Sequence, residues 1–238
     1  MVEFRGGEAM NRTVAVIAAH PDDEVLGCGG AIVRHAKDGD RVHVLIVAEG
    51  VTSRHVTRNV KNARNELDGL AESATEANRV LGSASVKLLD YPDNRLDSVD
   101  LLDIAKSIEG FIAQFGPDIV YTHFDGDLSR DHQIVSEATQ IACRPLPDSG
   151  VRELLMFEVM SSTGWRAGAA AAFTPNYYID ISSTLELKLR ALSAYSKEMR
   201  PWPHARSIEA VEFQAKWRGS SVGLAAAEAF VLARRIIR

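Results

Sequence analysis

The chain has 238 residues, of which 46% are hydrophobic and 25% charged, a composition typical of a globular protein with a sizeable core. A formal net charge of −5 and the lack of a basic run argue against general nucleic-acid binding. Because the sequence has two cysteines in no metal-type spacing, no signal peptide and no long apolar stretch, we expect a cytoplasmic protein without a membrane span.

The first predicted strand covers residues 14–17, which are apolar at every position, as expected of a buried strand in a parallel sheet. Residues 1–12 before it are expected to form an N-terminal tail. An apolar helix entry follows over residues 25–36. Its glycines lack both the Gly-x-Gly-x-x-Gly spacing and a Walker lysine, so they favour close packing of the helix on the sheet over a phosphate loop.

Strands and helices then alternate along the chain. Strands are predicted over residues 41–48, 85–91, 118–123, 153–159 and 176–181. Helices are predicted over residues 59–82, 99–115, 130–143 and 184–197, with two closing helices over 207–218 and 224–237. This alternation predicts an α/β fold, a Rossmann-like doubly wound and mostly parallel sheet with helices on both faces. We expect a single domain over residues 13–238.

Ionisable side chains cluster directly after the first strand, where open α/β sheets place their ligands. His20 and Asp23 are three residues apart, so both face one point if the chain turns helically, and this pair suits a divalent transition metal, zinc in particular. Asp22 lies between them and is free to act as a base. An acidic helix N-terminus would also explain the carboxylates, but it leaves His20 unexplained.

A second cluster of histidines and carboxylates follows the predicted fourth strand, at the same edge of the sheet. His132 completes a His-Asp-His triad with His20 and Asp23, leaving coordination positions open as in catalytic metal sites. Asp131 is expected to orient a histidine or to bind a substrate hydroxyl. For Asp127 we prefer a loop or capping role, and for His123 a packed, hydrogen-bonded position.

The two stretches AHPDDE, residues 19–24, and DH, residues 131–132, resemble those of the PIG-L, or LmbE-like, zinc-dependent de-N-acetylases. The resemblance implies an LmbE-like fold from about Thr13 onward, with zinc or another divalent transition metal on His20, Asp23 and His132. It implies that Asp22 is the general base. It also implies a hydrolase that removes an acetyl group from a small N-acetylglucosamine-type sugar conjugate, giving a free amine and acetate.

One position departs from that pattern. Many members of the family carry a histidine three residues before the last ligand, as a candidate acid or oxyanion stabiliser, and this chain has Ser129 there. The candidates for the missing catalytic group are His204, in a proline-held aromatic loop, and His123. A solvent-facing loop position is the alternative for His204.

The loop after the second strand contains Arg54, our candidate for binding a sugar hydroxyl or an anionic group of the substrate. The weaker candidates from the loop after the third strand are Asp93, Asn94 and Arg95. Tryptophans that stack on a sugar, or that pack in the core, are Trp165, Trp202 and Trp217.

Two functions from other classes stay open at this point. A Rossmann-type module that binds a nucleotide or a sugar without catalysis would hold no metal. A metal-dependent phosphoesterase usually needs two metals and more bridging carboxylates than the sequence offers. A homo-oligomer is compatible with the sequence, which does not specify the oligomeric state.

Overall fold

The computed structural model describes residues 11–168 and 172–237, so most of the predicted N-terminal tail lies outside the described residues. Seven strands form one sheet in the order β3-β2-β1-β4-β5-β7-β6. The strands are β1 (Thr13–Ala18), β2 (Arg41–Ala48), β3 (Ser85–Tyr91), β4 (Ile119–His123), β5 (Glu153–Phe157), β6 (Tyr177–Asp180) and β7 (Ala227–Arg235). The helices are α1 (Asp23–Lys37), α2 (Arg64–Leu81), α3 (Leu101–Phe115), α4 (Arg130–Ala142), α5 (Leu185–Ala194) and α6 (Ile208–Ser220).

The sheet is parallel from β3 through β5, and only β7 runs antiparallel to its neighbours β5 and β6. The predicted mostly parallel, doubly wound sheet is therefore confirmed. The strand order reverses at β1, which pairs with β2 on one side and with β4 on the other. Ligands of such sheets bind at the carboxyl ends of the strands beside this reversal.

Helices cover both faces, because successive side chains of a strand point to opposite sides. In β1, Val14 and Val16 pack into the core under α1 and α2, whereas Ala15 and Ile17 pack into the core under α3 and α4. Both cores are apolar, which accounts for the continuous apolar sequence of the central strands. Among the described residues no helix combines the length and the apolar character needed to cross a bilayer.

The prediction of a closing helix over residues 224–237 is wrong, since Ala227–Arg235 forms strand β7. Its alanines favour a helix locally. The segment lies between β5 and β6, however, and pairs with both, as in Met156↔Val231 and Tyr178↔Ala229. Backbone pairing on two sides and burial of its first residues override the local propensity. The start of α2 also differs, at Arg64 rather than residue 59.

Helix α1 is broken at Cys28, whose φ of −147° and ψ of 23° are not helical. The carboxylate of Glu228, on β7, accepts hydrogen bonds from the backbone amides of residues 30–31 at 2.9 and 2.7 Å. Lys188 donates to the carbonyl oxygen of Leu26 at 2.9 Å and to Glu228 at 2.6 Å. This buried ion pair thus replaces hydrogen bonds that the break removes from the helix.

The glycines of α1 allow close packing, as predicted. A Cβ atom on Gly27 would lie 2.2 Å from the ring of Phe157, and one on Gly30 would lie 2.7 Å from Ile181. Both distances are too short for real contacts. The helix therefore approaches the sheet at positions where only glycine fits.

Candidate active site

The three predicted metal ligands come from the loops after β1 and β4, which are neighbours in the sheet. His20 and Asp23 lie at the start of α1, and His132 lies in the first turn of α4. One ligand atom from each of these residues lies within 4.8 Å of the other two. The structure thus brings together the His-Asp-His group that the sequence suggested.

The three ligand atoms form a nearly equilateral triangle. His20 Nδ1 and His132 Nε2 each lie 3.2 Å from Asp23 Oδ2 and 3.3 Å from each other. Four tetrahedral ligands at roughly 2.0–2.1 Å from a metal are about 3.3 Å apart, so the spacing fits such an ion. Asp23 Oδ1 is buried without a hydrogen-bond partner among the described residues, which leaves it available too.

Asp131 lies behind His20, on the side of the imidazole ring that faces away from the triangle. Its Oδ2 lies 3.0 Å from His20 Nε2, the ring nitrogen that faces away from the triangle, and its Oδ1 accepts from the amide of Leu96 at 3.1 Å. Carboxylates in this position fix the tautomer and orientation of a metal-binding histidine. Of the two roles predicted for Asp131, the geometry is that of a residue that orients a histidine.

Asp127 stands in the same relation to His132, with Oδ1 3.3 Å from His132 Nδ1. It accepts from the amide of Ser129, as a capping residue would, and also from the hydroxyls of Ser162 and Thr163. The preferred loop or capping role was therefore incomplete. The position of Asp127 in the loop that carries His132 was the available signal.

The neighbouring carboxylates raise the pKa values of both histidines of the triangle. Burial lowers the pKa of His132, but Asp23 and Asp127 outweigh it and raise that pKa to about 9. Burial also lowers the pKa of His20, and the hydrogen bonds to Asp131 and Asp23 raise it well above its ordinary value. The two imidazoles therefore hold protons in a place where a divalent cation would displace them.

Asp22 lies between two of these ligands in the sequence but does not belong to the triangle. Its backbone has a φ of 108°, which is rare for a residue other than glycine. Its side chain is fully buried, and neither carboxylate oxygen has a hydrogen-bond partner among the described residues. Arg206 Nη1 lies 2.9 Å from Asp22 Oδ2 as an ion pair whose angle is not that of a hydrogen bond. Burial raises the pKa of Asp22 well above its ordinary value, and the charge of Arg206 opposes this rise. The result is a poorly solvated carboxyl group beside the triangle.

Glu24, the third carboxylate of the first motif, takes no part in the triangle. It accepts hydrogen bonds from Tyr195 Oη at 2.7 Å, Asn78 Nδ2 at 3.1 Å and the backbone amide of Asp22 at 3.1 Å. Burial raises its pKa to about 7. Glu24 therefore fixes the unusual backbone of Asp22, a role that depends on residues distant in the sequence.

A cleft of about 470 Å³ opens above Asp22, His20 and His132. Arg54 lines it as predicted, but its Nη2 contacts both carboxylate oxygens of Glu198 at 2.6 and 2.5 Å. The other polar or aromatic side chains around the cleft include Asp93, Asn94, Trp165, Arg200 and Arg206. Of the three tryptophans considered for stacking on a sugar, Trp165 lines the cleft, and 55% of its surface is exposed.

The two histidines considered for the missing catalytic group contact backbone amides and do not line the cleft. His204 is not among the residues that line the cleft, and its Nδ1 accepts from the amide of Arg206 at 3.0 Å. His123 is fully buried, and its Nε2 accepts from the amide of Ala19 at 2.8 Å, which confirms the packed, hydrogen-bonded interpretation. Ser129 caps α4 by accepting from the amide of His132 at 3.4 Å. Arg206, which the sequence analysis missed, reaches Asp22 from the loop of His204.

Comparison with known proteins identifies the same site region. Residues 15–143, more than half of the chain, match the family described as PIG-L: GlcNAc-PI de-N-acetylase. This segment contains every residue of the triangle together with Asp22.

Two curated relatives are deacetylases by description. The chain is 30% identical over 145 residues to the "Uncharacterized deacetylase YaiS" of Escherichia coli (strain K12), which covers 56% of this chain and 69% of the relative. It is 25% identical over 191 residues to the "Probable N-acetyl-alpha-D-glucosaminyl L-malate deacetylase 2" of Bacillus cereus, covering 79% and 84%.

Among solved structures, the N,N'-diacetylchitobiose deacetylase of Pyrococcus horikoshii superposes with a TM-score of 0.75. The match covers 94% of this chain and 84% of the other at 20% sequence identity, so it supports the fold alone.

Proposed function

The chain belongs to the PIG-L family, and on that premise we propose that it is a metal-dependent amidohydrolase that deacetylates an N-acetylglucosamine-type sugar conjugate. The products are acetate and a free amine. The observation that carries the proposal is the triangle of His20, Asp23 and His132 beside the buried carboxylate of Asp22, on the floor of an open cleft.

The metal is proposed to be zinc, and another divalent transition metal fits the same donors. His20 Nδ1, Asp23 Oδ2 and His132 Nε2 would hold it. When bound, zinc polarises a carbonyl group and lowers the pKa of a water molecule to roughly 7. Asp131 and Asp127 orient the two imidazoles from behind.

Asp22 is proposed as the general base. As water attacks the acetamide carbon, the Asp22 carboxylate takes a proton from it, and when the C–N bond breaks the same carboxyl gives a proton to the leaving nitrogen. Its poorly solvated position favours this exchange. Glu24, through the backbone amide of Asp22, keeps the carboxylate directed to the cleft.

Arg54 is proposed to bind the sugar conjugate. Because Arg54 is paired with Glu198, the two side chains together present hydrogen-bond donors and an acceptor at the cleft wall, which suits sugar hydroxyls better than a bare anion. The exposed ring of Trp165 offers an apolar surface on another part of the wall.

Two wider proposals accompany this function. A cytoplasmic location agrees with Cys28 and Cys143, both buried as free thiols. A single domain over residues 13–238 agrees with one sheet that contains strands from both ends of this range.

A phosphoesterase with two metals is the less favoured alternative. Within the described ranges, the triangle is the only group of three or more histidine, cysteine, aspartate or glutamate side chains spaced for a metal ion. A single metal per chain, measured by elemental analysis, therefore supports the amidohydrolase.

The test is acetate release from a panel of N-acetylated sugar conjugates. Asp22→Asn is expected to lower kcat by about 10²–10⁴-fold. Asp125→Asn, an exposed carboxylate of the β4 loop, is the matched control and should match the wild type. Removal of the metal should abolish release, and added zinc should restore it. Release that is indifferent to both Asp22→Asn and metal removal contradicts the proposal.

A further inference from the structure

We propose that Arg206 is a catalytic residue whose free Nη2 group donates to the carbonyl oxygen of the scissile acetamide as negative charge develops on that oxygen. The inference rests on the proposed function, since it assigns the oxygen-binding donor of that reaction. It starts from the contacts of a side chain that no sequence motif points to.

The guanidinium of Arg206 is held by contacts at two of its three nitrogens. Its Nη1 lies 2.9 Å from Asp22 Oδ2, and its Nε donates to Ser161 Oγ at 3.0 Å. Its Nη2 makes no hydrogen bond within residues 11–168 and 172–237. The side chain is 25% exposed and lines the cleft together with His20 and His132. A cation held at Nη1 and Nε, with Nη2 free to donate, therefore lines the space proposed for the acetamide.

The histidines near the triangle do not present a free donor to the cleft. The ring nitrogens of His20 and His132 face the triangle or the carboxylates behind it. His123 Nε2 and His204 Nδ1 both accept from backbone amides. His123 Nδ1 has no hydrogen-bond partner among the described residues, but His123 is fully buried, and neither His123 nor His204 lines the cleft.

The other two arginines of the cleft are also committed. Arg54 contacts the carboxylate of Glu198. Arg200 is exposed and donates to the backbone carbonyls of Lys197 and Met199. Arg206 is therefore the cation of the cleft that both contacts the proposed base and keeps a donor free.

The chemistry of the step needs such a donor. Attack of water on the acetamide moves an electron pair onto the carbonyl oxygen, and a donor fixed beforehand at that oxygen lowers the barrier. A guanidinium keeps its charge throughout the working range of pH, so it stabilises the oxygen without giving up a proton. Asp22 remains the group that transfers the proton. Because Asp22 contacts the same guanidinium, the distance between the base and the donor to the oxygen is fixed.

The test compares Arg206→Ala with Arg206→Lys, and uses Arg190→Ala, an exposed arginine of α5, as the control. Arg206→Ala should lower kcat by about 10²–10³-fold while KM and metal content stay close to those of the wild type. Arg206→Lys should recover part of kcat. Guanidinium ion added to the solution should raise the activity of Arg206→Ala and leave that of Asp22→Asn unchanged.

A second readout does not use turnover. Acetate, the proposed product, should bind metal-loaded Arg206→Ala at least about tenfold more weakly than the wild type by calorimetry, because the Nη2 donor is gone. A kcat of Arg206→Ala within threefold of the wild type overturns the inference and leaves the deacetylase intact. Loss of metal or of folding in both Arg206 variants, without rescue by guanidinium, shows a structural role and also overturns it. If the wild type deacetylates nothing, the proposed function fails, and acetate affinity alone decides on Arg206.

Discussion

Asp131 Oδ2 lies 3.0 Å from His20 Nε2, on the opposite side of the imidazole ring from the atom that faces Asp23 and His132. Asp127 and His132 repeat this relation at 3.3 Å. Each histidine of the triangle therefore has a carboxylate behind it, and both carboxylates come from the loop and helix start that follow β4. One segment of the chain thus orients ligands that come from two different loops.

Asp131→Asn should weaken metal binding about 10–100-fold, because the amide keeps the shape but not the charge that supports His20. Competition with a chromophoric chelator measures this affinity directly. Asp125→Asn, exposed in the same loop, should bind metal like the wild type. Equal affinity of the Asp131 and Asp125 variants would show that the carboxylate behind His20 has no influence on the site.

Arg54→Ala should raise KM for the best substrate of the panel by about tenfold, with metal content and kcat little changed, if Arg54 binds the sugar. A purely structural pair with Glu198 predicts the reverse, an unchanged KM and a lower melting temperature. Steady-state kinetics and a thermal melt on the same preparation distinguish the two results.

Gly30→Ala should lower the free energy of unfolding by about 1–3 kcal/mol, since the new methyl group would lie 2.7 Å from Ile181. Gly110→Ala is the matched control, because Gly110 lies within α3 and, apart from its chain neighbours and the helix's own backbone, no atom lies within 4 Å of its Cβ position. That variant should gain up to about 1 kcal/mol from helix propensity. Urea unfolding gives both values, and a stable Gly30→Ala variant would contradict the close packing of α1.

Lys188→Met should cost about 3–5 kcal/mol of folding free energy, because it leaves the buried carboxylate of Glu228 without its cation. The double variant Lys188→Met, Glu228→Gln should recover part of this loss. A double-mutant cycle from denaturant unfolding measures the coupling. Additive effects of the two substitutions would mean that the pair does not act as a unit.

His35 makes folding sensitive to mild acid. Its Nδ1 lies 2.7 Å from Asp40 Oδ2 and its Nε2 lies 2.9 Å from Tyr121 Oη, and burial, opposed by Asp40, lowers its pKa. Because the unfolded chain then binds a proton more readily than the folded one, this contribution to stability is present above the unfolded pKa of about 6.5 and is lost as the pH falls through the folded pKa.

The stability advantage of the wild type over His35→Gln should therefore shrink between about pH 7.5 and about pH 5.5. Urea unfolding of both proteins at each pH measures it. An advantage that grows on acidification would contradict the lowered pKa of His35.

Sequence patterns predicted the parts of the fold that local chemistry determines. The continuous apolar strands, the helix ends at Gly82 and Gly116 and the convergence of His20, Asp23 and His132 all followed from short-range spacing and one rule about sheet edges. The strands and helix ends depend on residues within one element, whereas the convergence depends on two loops that the strand order places side by side.

Features that depend on distant partners were not predictable. The alanines of β7 favour a helix until β5 and β6 offer backbone partners on both sides. Arg206 lies in an irregular loop, and its relation to Asp22 arises only when the C-terminal part of the chain folds over the cleft. His204 lies in the same loop as Arg206 but does not line the cleft, and its catalytic role stays a prediction.

The break in α1 has a consequence for dissecting or recombining this protein. A fragment that stops after Cys143 would retain every proposed metal ligand, yet it would lack Lys188 and Glu228, which satisfy the interrupted helix. The backbone amides of residues 30–31, in the helix that begins at Asp23, would then lack hydrogen-bond partners inside an apolar core. Chimaeras of related proteins should accordingly exchange the N-terminal motif and the last strand together, because each completes the hydrogen bonding of the other.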